Sequence, residues 1–373
     1  MSASSSPLVS VLVPICNVER YLDQCLESAR MQTLKDIEVI CINDGSTDGS
    51  LDIINSYVDR DPRFKVIDKP NSGYGDSMNK GLEMACGKYI SILESDDFLD
   101  PDALEYMSGR AEEENLDVLK CNFWLYWSSL DPSRLNRHDA YFSAVSPEMA
   151  LMGPHRSADV PDIFWAKASI WSALYKKSFL DQNGIRFLPT PGASFQDTSF
   201  SFKVYACANR VAYSSRAFLH YRQDNEKSSV NNPGKVFCVC DEHAEMKRFL
   251  NEDRTDLKPM LDPIRAKVKF YNYRWNLYRL SAELRPQFLE RFSREMREEL
   301  AEGNILRGEG EFCRYGLSDG EIDEINEIAN ESDLYSVKCT LGGGGKLETI
   351  KAYYRDGGLP LVGKVVSKKM SRR

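Results

Sequence analysis

An α/β fold is predicted by this sequence: a mainly parallel sheet with helices on both faces, followed by a helical C-terminal extension. Three observations lead there. Continuous apolar runs at residues 8–15, 37–42 and 89–93 have the composition of strands buried on both faces. Helical stripes lie between them, the alternation expected of a parallel sheet. Polar clusters follow the strands at their C-terminal ends: Asn17 after the first, Asp44 after the second, Asp96 and Asp97 after the fourth. Ligands of open parallel sheets bind at that end.

The run at 8–15 has no basic segment before it, and its β-branched content suits a buried strand better than a signal peptide. Tyr21, Leu22, Cys25, Leu26 and Ala29 then form one helical stripe. The second strand, 37–42, ends in Asn43-Asp44-Gly45-Ser46; a helix over about 48–58 and a short strand at 64–67 follow. Residues 75–86 read as a helix with Gly87 as its stop. The strand at 89–93 runs into Glu94-Ser95-Asp96-Asp97, and Pro101 opens the next helix. Residues 131–161, rich in Pro, Ser and charge, read as irregular, and a second structured block begins at Ser169. From about 236 to 330 the pattern is amphipathic and helical, with Tyr271, Trp275, Leu277 and Tyr278 expected to pack between helices. Gly342 to Gly345 reads as a flexible break before a basic tail.

Composition narrows the function. At 373 residues the chain exceeds one typical core, so a larger N-terminal domain and a smaller C-terminal part are expected. A net charge of -8 argues against a nucleic-acid partner. No apolar run approaches the roughly 18–20 residues that span a bilayer, so a cytoplasmic protein is expected. The ten cysteines are scattered; those in apolar runs, such as Cys41 and Cys121, read as free buried thiols. Cys238 and Cys240 have no second ligand pair at zinc spacing and read as helix-flank residues. The dinucleotide fingerprint, the P-loop and the H-E-x-x-H motif are all missing.

The candidate chemistry lies in four clusters. Glu94, Asp96 and Asp97 put three carboxylates into four residues, a repulsion that a divalent cation relieves. Mg²⁺ or Mn²⁺ takes one or two carboxylates plus substrate phosphates; the same residues also suit an acidic helix cap. Asp44 is placed to accept the imide N–H of uracil, or to supply turn chemistry. The loop Lys69-Pro70-Asn71-Ser72-Gly73-Tyr74-Gly75 enters a helix carrying Asn79 and Gly81, and such a loop lets backbone approach a phosphate. Asp197, in Phe195-Gln196-Asp197-Thr198, is either a plain helix cap or a reactive carboxylate.

Together with Val11-Leu12-Val13-Pro14-Ile15-Cys16-Asn17-Val18-Glu19, the 171–175 segment, Tyr221-Arg222 and Ser228-Ser229, these motifs resemble the family 2 glycosyltransferases of the GT-A fold, the type that builds bacterial polysaccharides and glycolipids. The resemblance covers roughly residues 7–231. It implies a metal-assisted, inverting transfer from a nucleoside-diphosphate sugar, a UDP-sugar first, to a hydroxyl of a glycan or lipid-linked acceptor. Pro14 and Glu19 would line the base and ribose pocket and Asp44 would read the base. Asn17, Gly73 and Asn79 would add nucleotide-sugar contacts. Glu94, Asp96 and Asp97 would hold Mn²⁺ or Mg²⁺, with Asp96 also at the ribose. Asp197 would be the catalytic base, and Arg222 would belong to a mobile segment over the diphosphate. The domain plan becomes a catalytic domain over 1–232, with a donor half at about 7–130 and an acceptor half at about 160–232. A helical region at 233–340 and a flexible basic tail at 341–373 complete it. That tail suits contact with the inner face of a membrane.

Two departures stand out. Glu94 replaces the usual first Asp of the acidic motif, and Gln196 replaces the usual Glu before the base. They leave room for a degenerate, nucleotide-binding subunit that neither hydrolyses nor transfers. A nucleotidylyltransferase would share the metal and nucleotide pocket, but it would carry a glycine- and arginine-rich loop where Pro14-Ile15-Cys16-Asn17 stands.

Overall fold

The computed structural model describes residues 6–131, 133, 136–193, 195–225, 235–310, 315–333 and 335. Ser228, Ser229, the glycine run at 342–345 and the basic tail lie outside the described residues. The chain divides into two compact units, Met1–Asn231 and Asn232–Arg373.

The first unit runs β1 (Val9–Ile15), α1 (Glu19–Arg30), β2 (Ile37–Asp44), α2 (Ser50–Arg60), β3 (Phe64–Lys69), α3 (Tyr74–Met84), β4 (Tyr89–Ile92), β5 (Phe98–Leu99) and α4 (Ala103–Glu113). It continues through β6 (Val118–Tyr126), β7 (Asp139–Phe142), α5 (Pro147–Ala150), β8 (Ala173–Lys176), α6 (Lys177–Gln182), α7 (Gln196–Cys207) and β9 (Val211–Arg222). Among the described residues nine strands form one sheet in the order β3-β2-β1-β4-β8-β6-β9-β5, with β7 on β6. Strands β3, β2, β1 and β4 are parallel, with Val11 opposite both Val39 and Ser91. The sheet turns mixed at β4, where β8 pairs antiparallel; β6 and β9 are again parallel. Every residue of β1 and β2 is buried, which is why those runs show no alternation in sequence. All four parallel strands β1 to β4 end toward the same edge, and the polar motifs gather there.

The middle segment is more ordered than its composition suggested. Residues expected to be irregular contain β7, α5 and a 3₁₀ turn at Ser157–Asp159. Each piece is only three or four residues long, too short to show a period. Its place is set from outside, by pairing Phe142 against Phe123 of β6.

The second unit contains α8 (Cys238–Arg248), a wide turn at Phe249–Asp253, α9 (Lys258–Arg279), α10 (Arg285–Ala301) and α11 (Asp319–Asn330). Phe270, Tyr273, Phe288, Phe292 and Met296 fill its core. Arg265 is wholly buried and pairs with Glu299 at 2.7 Å and Asp262 at 2.8 Å. Leu277 packs inside as expected, but Trp275 and Tyr278 are 50% and 51% exposed, so the expected aromatic packing holds for only part of the stripe. Among the described residues no helix is long and apolar enough to cross a membrane. Cys41 and Cys121 are free and buried.

Candidate active site

The loops after β1, β2 and β3 are tied to one another. Asn17 holds a left-handed backbone, φ 53, which a short polar side chain tolerates by bonding locally. Its N–H donates to Ser46 Oγ at 3.1 Å and its Oδ1 accepts from Thr47 N at 2.7 Å. Glu19 Oε2 accepts from Gly49 N at 2.6 Å, and Glu19 N donates to Asp48 Oδ2 at 3.1 Å. Asn17 and Glu19 are exposed, whereas Pro14 is buried within β1, opposite Ile42.

Asp44 organises the third loop. Its Oδ1 pairs with Lys69 and accepts from Ser72 N at 2.8 Å, and its Oδ2 accepts from Gly73 N at 3.0 Å. A carboxylate oxygen takes two donors, so Oδ2 retains room for one more. Gly73 stands at φ 97, and a Cβ there would meet Thr190 O at 2.7 Å and Gly192 N at 2.8 Å. A Cβ on Gly75 would collide with Leu188 O. Tyr74 N also donates to Gly192 O at 2.9 Å. Asn79 clips the same stretch: Nδ2 donates to Phe187 O and Oδ1 accepts from Phe187 N, both at 2.9 Å. Both polar ends of Asn79 are thus used within the protein. The glycines predicted to admit a phosphate also admit the backbone of residues 188–192.

Past β4 the chain enters the acidic motif. Tyr74 OH donates to Glu94 Oε1 at 2.6 Å. Burial pushes the Glu94 carboxyl up to about 8, with Asp96 and Asp197 adding repulsion against the Tyr74 bond. Burial also drives Asp97 well above the usual carboxylate range, although its Oδ1 accepts from Arg222 N at 2.8 Å. Asp97 Oδ2 is buried with no hydrogen-bond partner among the described residues. Asp96 Oδ2 accepts from Asn225 Nδ2 at 2.8 Å. Arg222, the last residue of β9, is built into the wall. Its Nε donates to Asp96 O at 2.8 Å, its two terminal nitrogens donate to Ser128 Oγ and Gln24 Oε1, and its guanidinium lies between Tyr21 and Tyr126 at 4.5 and 4.9 Å from the ring centres.

Among the described residues no three His, Cys, Asp or Glu side chains form a ready metal cluster. A hard cation bound with a diphosphate needs only one or two carboxylates. The orphaned Asp97 Oδ2, near Glu94, whose carboxyl resists ionisation, fits a site completed by a cation.

Asp197 lies in the first turn of α7, after Phe195 at φ 63. Burial raises its carboxyl to about 6, against two backbone N–H bonds and the charges of Lys167 and Lys120. Glu94, Tyr74 and Tyr221 are also within electrostatic reach of Asp197. The fold therefore brings Asp197 beside the acidic motif, about a hundred residues away in sequence. Gln196 is buried and points back to the 190–192 loop, donating from Nε2 to Thr190 Oγ1 at 3.0 Å and Gly192 O at 3.3 Å.

Three residues at this centre were not among the sequence candidates. Tyr74 sat in the glycine loop without an assigned role. Lys120 is buried in β6, donating to Ser169 Oγ at 2.6 Å and Ser172 Oγ at 2.8 Å, and burial lowers it to about 7. A lysine inside the run VLKCNFWLY was its signal. Lys167 had none.

The family model for glycosyl transferase family 2 matches residues 10–179. Glycosyltransferase GlyG of Streptococcus pneumoniae is 37% identical over 230 residues, which cover 58% of this chain and 71% of GlyG. The chain belongs to glycosyl transferase family 2. EpsH of Bacillus subtilis is 35% identical over 58% of this chain, and the chain spans 61% of EpsH's length. The crystal structure of S. aureus TarS 1–349 in complex with UDP-GlcNAc superposes with a TM-score of 0.52 at 18% identity, covering 87% of this chain and 91% of that chain. That likeness, of fold alone, is to the GT-A architecture expected for family 2.

Proposed function

We propose that this family 2 chain transfers a sugar, with inversion, from a nucleoside-diphosphate sugar to a hydroxyl of a glycan or lipid-linked glycan. The observation that carries the reading is Asp197: a carboxylate poised near 6, in a helix first turn, beside Glu94, whose own carboxyl resists ionisation. A general base works best with its pKa near the working pH. The donor half supplies Asn17, Glu19, Asp44 and Gly73 around the nucleotide, and UDP is the first candidate because Asp44 Oδ2 retains acceptor capacity suited to a uracil imide.

In the reaction the acceptor oxygen attacks the anomeric carbon while Asp197 takes its proton. The nucleoside diphosphate leaves from the opposite face, which inverts the centre. Asp96 and Asp97, with Glu94, would hold Mn²⁺ or Mg²⁺, and such an ion, when bound, neutralises charge on the leaving diphosphate. Arg222 fixes the positions of Asp96 and Asp97 through its backbone N–H and Nε. The acceptor half, a peripheral membrane contact through the basic tail and a bacterial surface glycan as product complete the proposal.

The test is thermal shift and nucleotide release with UDP-, GDP-, dTDP- and CMP-sugars, each with and without Mn²⁺ or Mg²⁺. Metal-dependent stabilisation by one nucleotide class, with slow nucleotide release, is expected. Binding without release or transfer would assign the chain to the degenerate class, and no shift with any donor would refute the donor site.

A further inference from the structure

Lys167 is exposed, yet its ammonium sits over an aromatic floor. Nζ lies 4.7 Å from the ring centre of Tyr221 and 5.4 Å from those of Phe123 and Phe142. Trp171 stacks behind Tyr221, with ring centres 4.8 Å apart. Aromatic faces attract a cation and hold it in place, but they carry no net charge and do not neutralise it. Among the described residues no carboxylate forms an ion pair with Lys167 and no acceptor takes its ammonium hydrogens. Asp197 is the first charge within its reach and Asp97 the second. The floor residues Phe123, Phe142, Tyr221 and Trp171 belong to β6, β7, β9 and the 165–172 stretch.

We propose that Lys167 is the acceptor-recognition group of the site and that the acceptor carries an anionic substituent next to the hydroxyl that is glycosylated. This rests on the assignment of Asp197 as base, since the acceptor oxygen must lie between Asp197 and the donor. Lys167 and Trp171 already pack on the Tyr221 ring, so an acceptor meets the exposed ammonium itself, with its anionic substituent alongside Lys167 Nζ. A carboxylate or phosphate there gains a charge-assisted bond to an ammonium already fixed in place. Two sources share that chemistry: a uronic acid carboxylate, and the phosphate that joins a sugar to a lipid carrier.

Binding to the full chain in the presence of UDP separates them. One arm compares p-nitrophenyl β-glucuronide with p-nitrophenyl β-glucoside; the other compares N-acetylglucosamine 1-phosphate with methyl N-acetylglucosaminide. The charged member of one pair is expected to bind at least about tenfold tighter, as a charge-assisted contact warrants. Lys167→Met abolishes that preference and Lys167→Arg keeps it. Equal binding within both pairs, or a preference that survives in Lys167→Met, overturns the proposal. UDP affinity of the unmodified protein is read separately: its absence would sink the donor reading, while the paired comparison without nucleotide still decides the role of Lys167.

Discussion

Replacing Asp197 by Asn should make the protein more stable and much less active, and the stability gain should depend on pH in a defined direction. The carboxyl moves from an ordinary 3.8 to about 6 in the folded chain. A folded pKa raised above the unfolded one means that ionisation opposes folding. The penalty is absent below about 4, grows as pH rises from 3.8 to 6 and is complete above that. At about 1.36 kcal/mol per pH unit the interval corresponds to about 3 kcal/mol. Asp197 is half-buried, so solvent screening reduces the expected effect to about 1–2 kcal/mol. Asn keeps the shape of the protonated acid and an oxygen for one backbone N–H, without the charge. Urea unfolding of the first unit's transition at pH 8 should show the variant ahead by that amount, and at pH 4 the two proteins should coincide. Transfer should fall by about 10²–10⁴, the usual worth of a general base. A variant less stable at pH 8, or a gain that persists at pH 4, would refute the reasoning.

Other perturbations follow from the same geometry. Gly73→Ala places a Cβ against Thr190 O and Gly192 N at a positive φ; a loss of about 1–3 kcal/mol in chemical unfolding is expected, with weakened nucleotide binding by calorimetry. Gln196→Glu restores the residue usual in the family but turns a carboxylate toward Gly192 O, which now accepts from Nε2; unfolding should show a loss of about 1–3 kcal/mol, and transfer should not rise. Metal affinity, followed by Mn²⁺ titration, should increase as pH rises toward 8, because Glu94 must lose a proton held up to about 8 to act as a ligand; a flat profile would remove Glu94 from the metal site.

The donor half was legible because its signals are local. Residues 9–15 and 37–42 are buried end to end, and each is followed at once by the polar residues it presents. The acidic motif was legible for the same reason, since Glu94, Asp96 and Asp97 fall within four residues. Asp197 looked like an ordinary helix cap by itself, and only the family resemblance singled it out. Its neighbours Glu94 and Tyr74 come from elements about a hundred residues earlier, a proximity no local pattern carries. Lys167 depended still more on assembly: Tyr221, Phe123 and Phe142 reach it from three strands, one of them the four-residue β7 hidden in a polar stretch. Arg222, assigned by resemblance to a mobile segment over the diphosphate, stands at the end of β9 with its guanidinium between two tyrosines.

The close fit of Gly73 and Gly75 against residues 188–192 joins the loop after β3 to the approach to α7. Gly73 leans on Gly192, and Gly192 O accepts both from Tyr74 N and from Nε2 of Gln196, next to Asp197. On the proposed reading, a nucleotide settling onto Gly73 would bear on the start of α7 through Gly192 and Gln196. If the proposed donor site is correct, an ordered sequence is expected, donor first and acceptor second. UDP should then compete with the donor and act as a mixed inhibitor toward the acceptor, and wasteful hydrolysis would be limited to the interval in which the base is set but no acceptor has arrived.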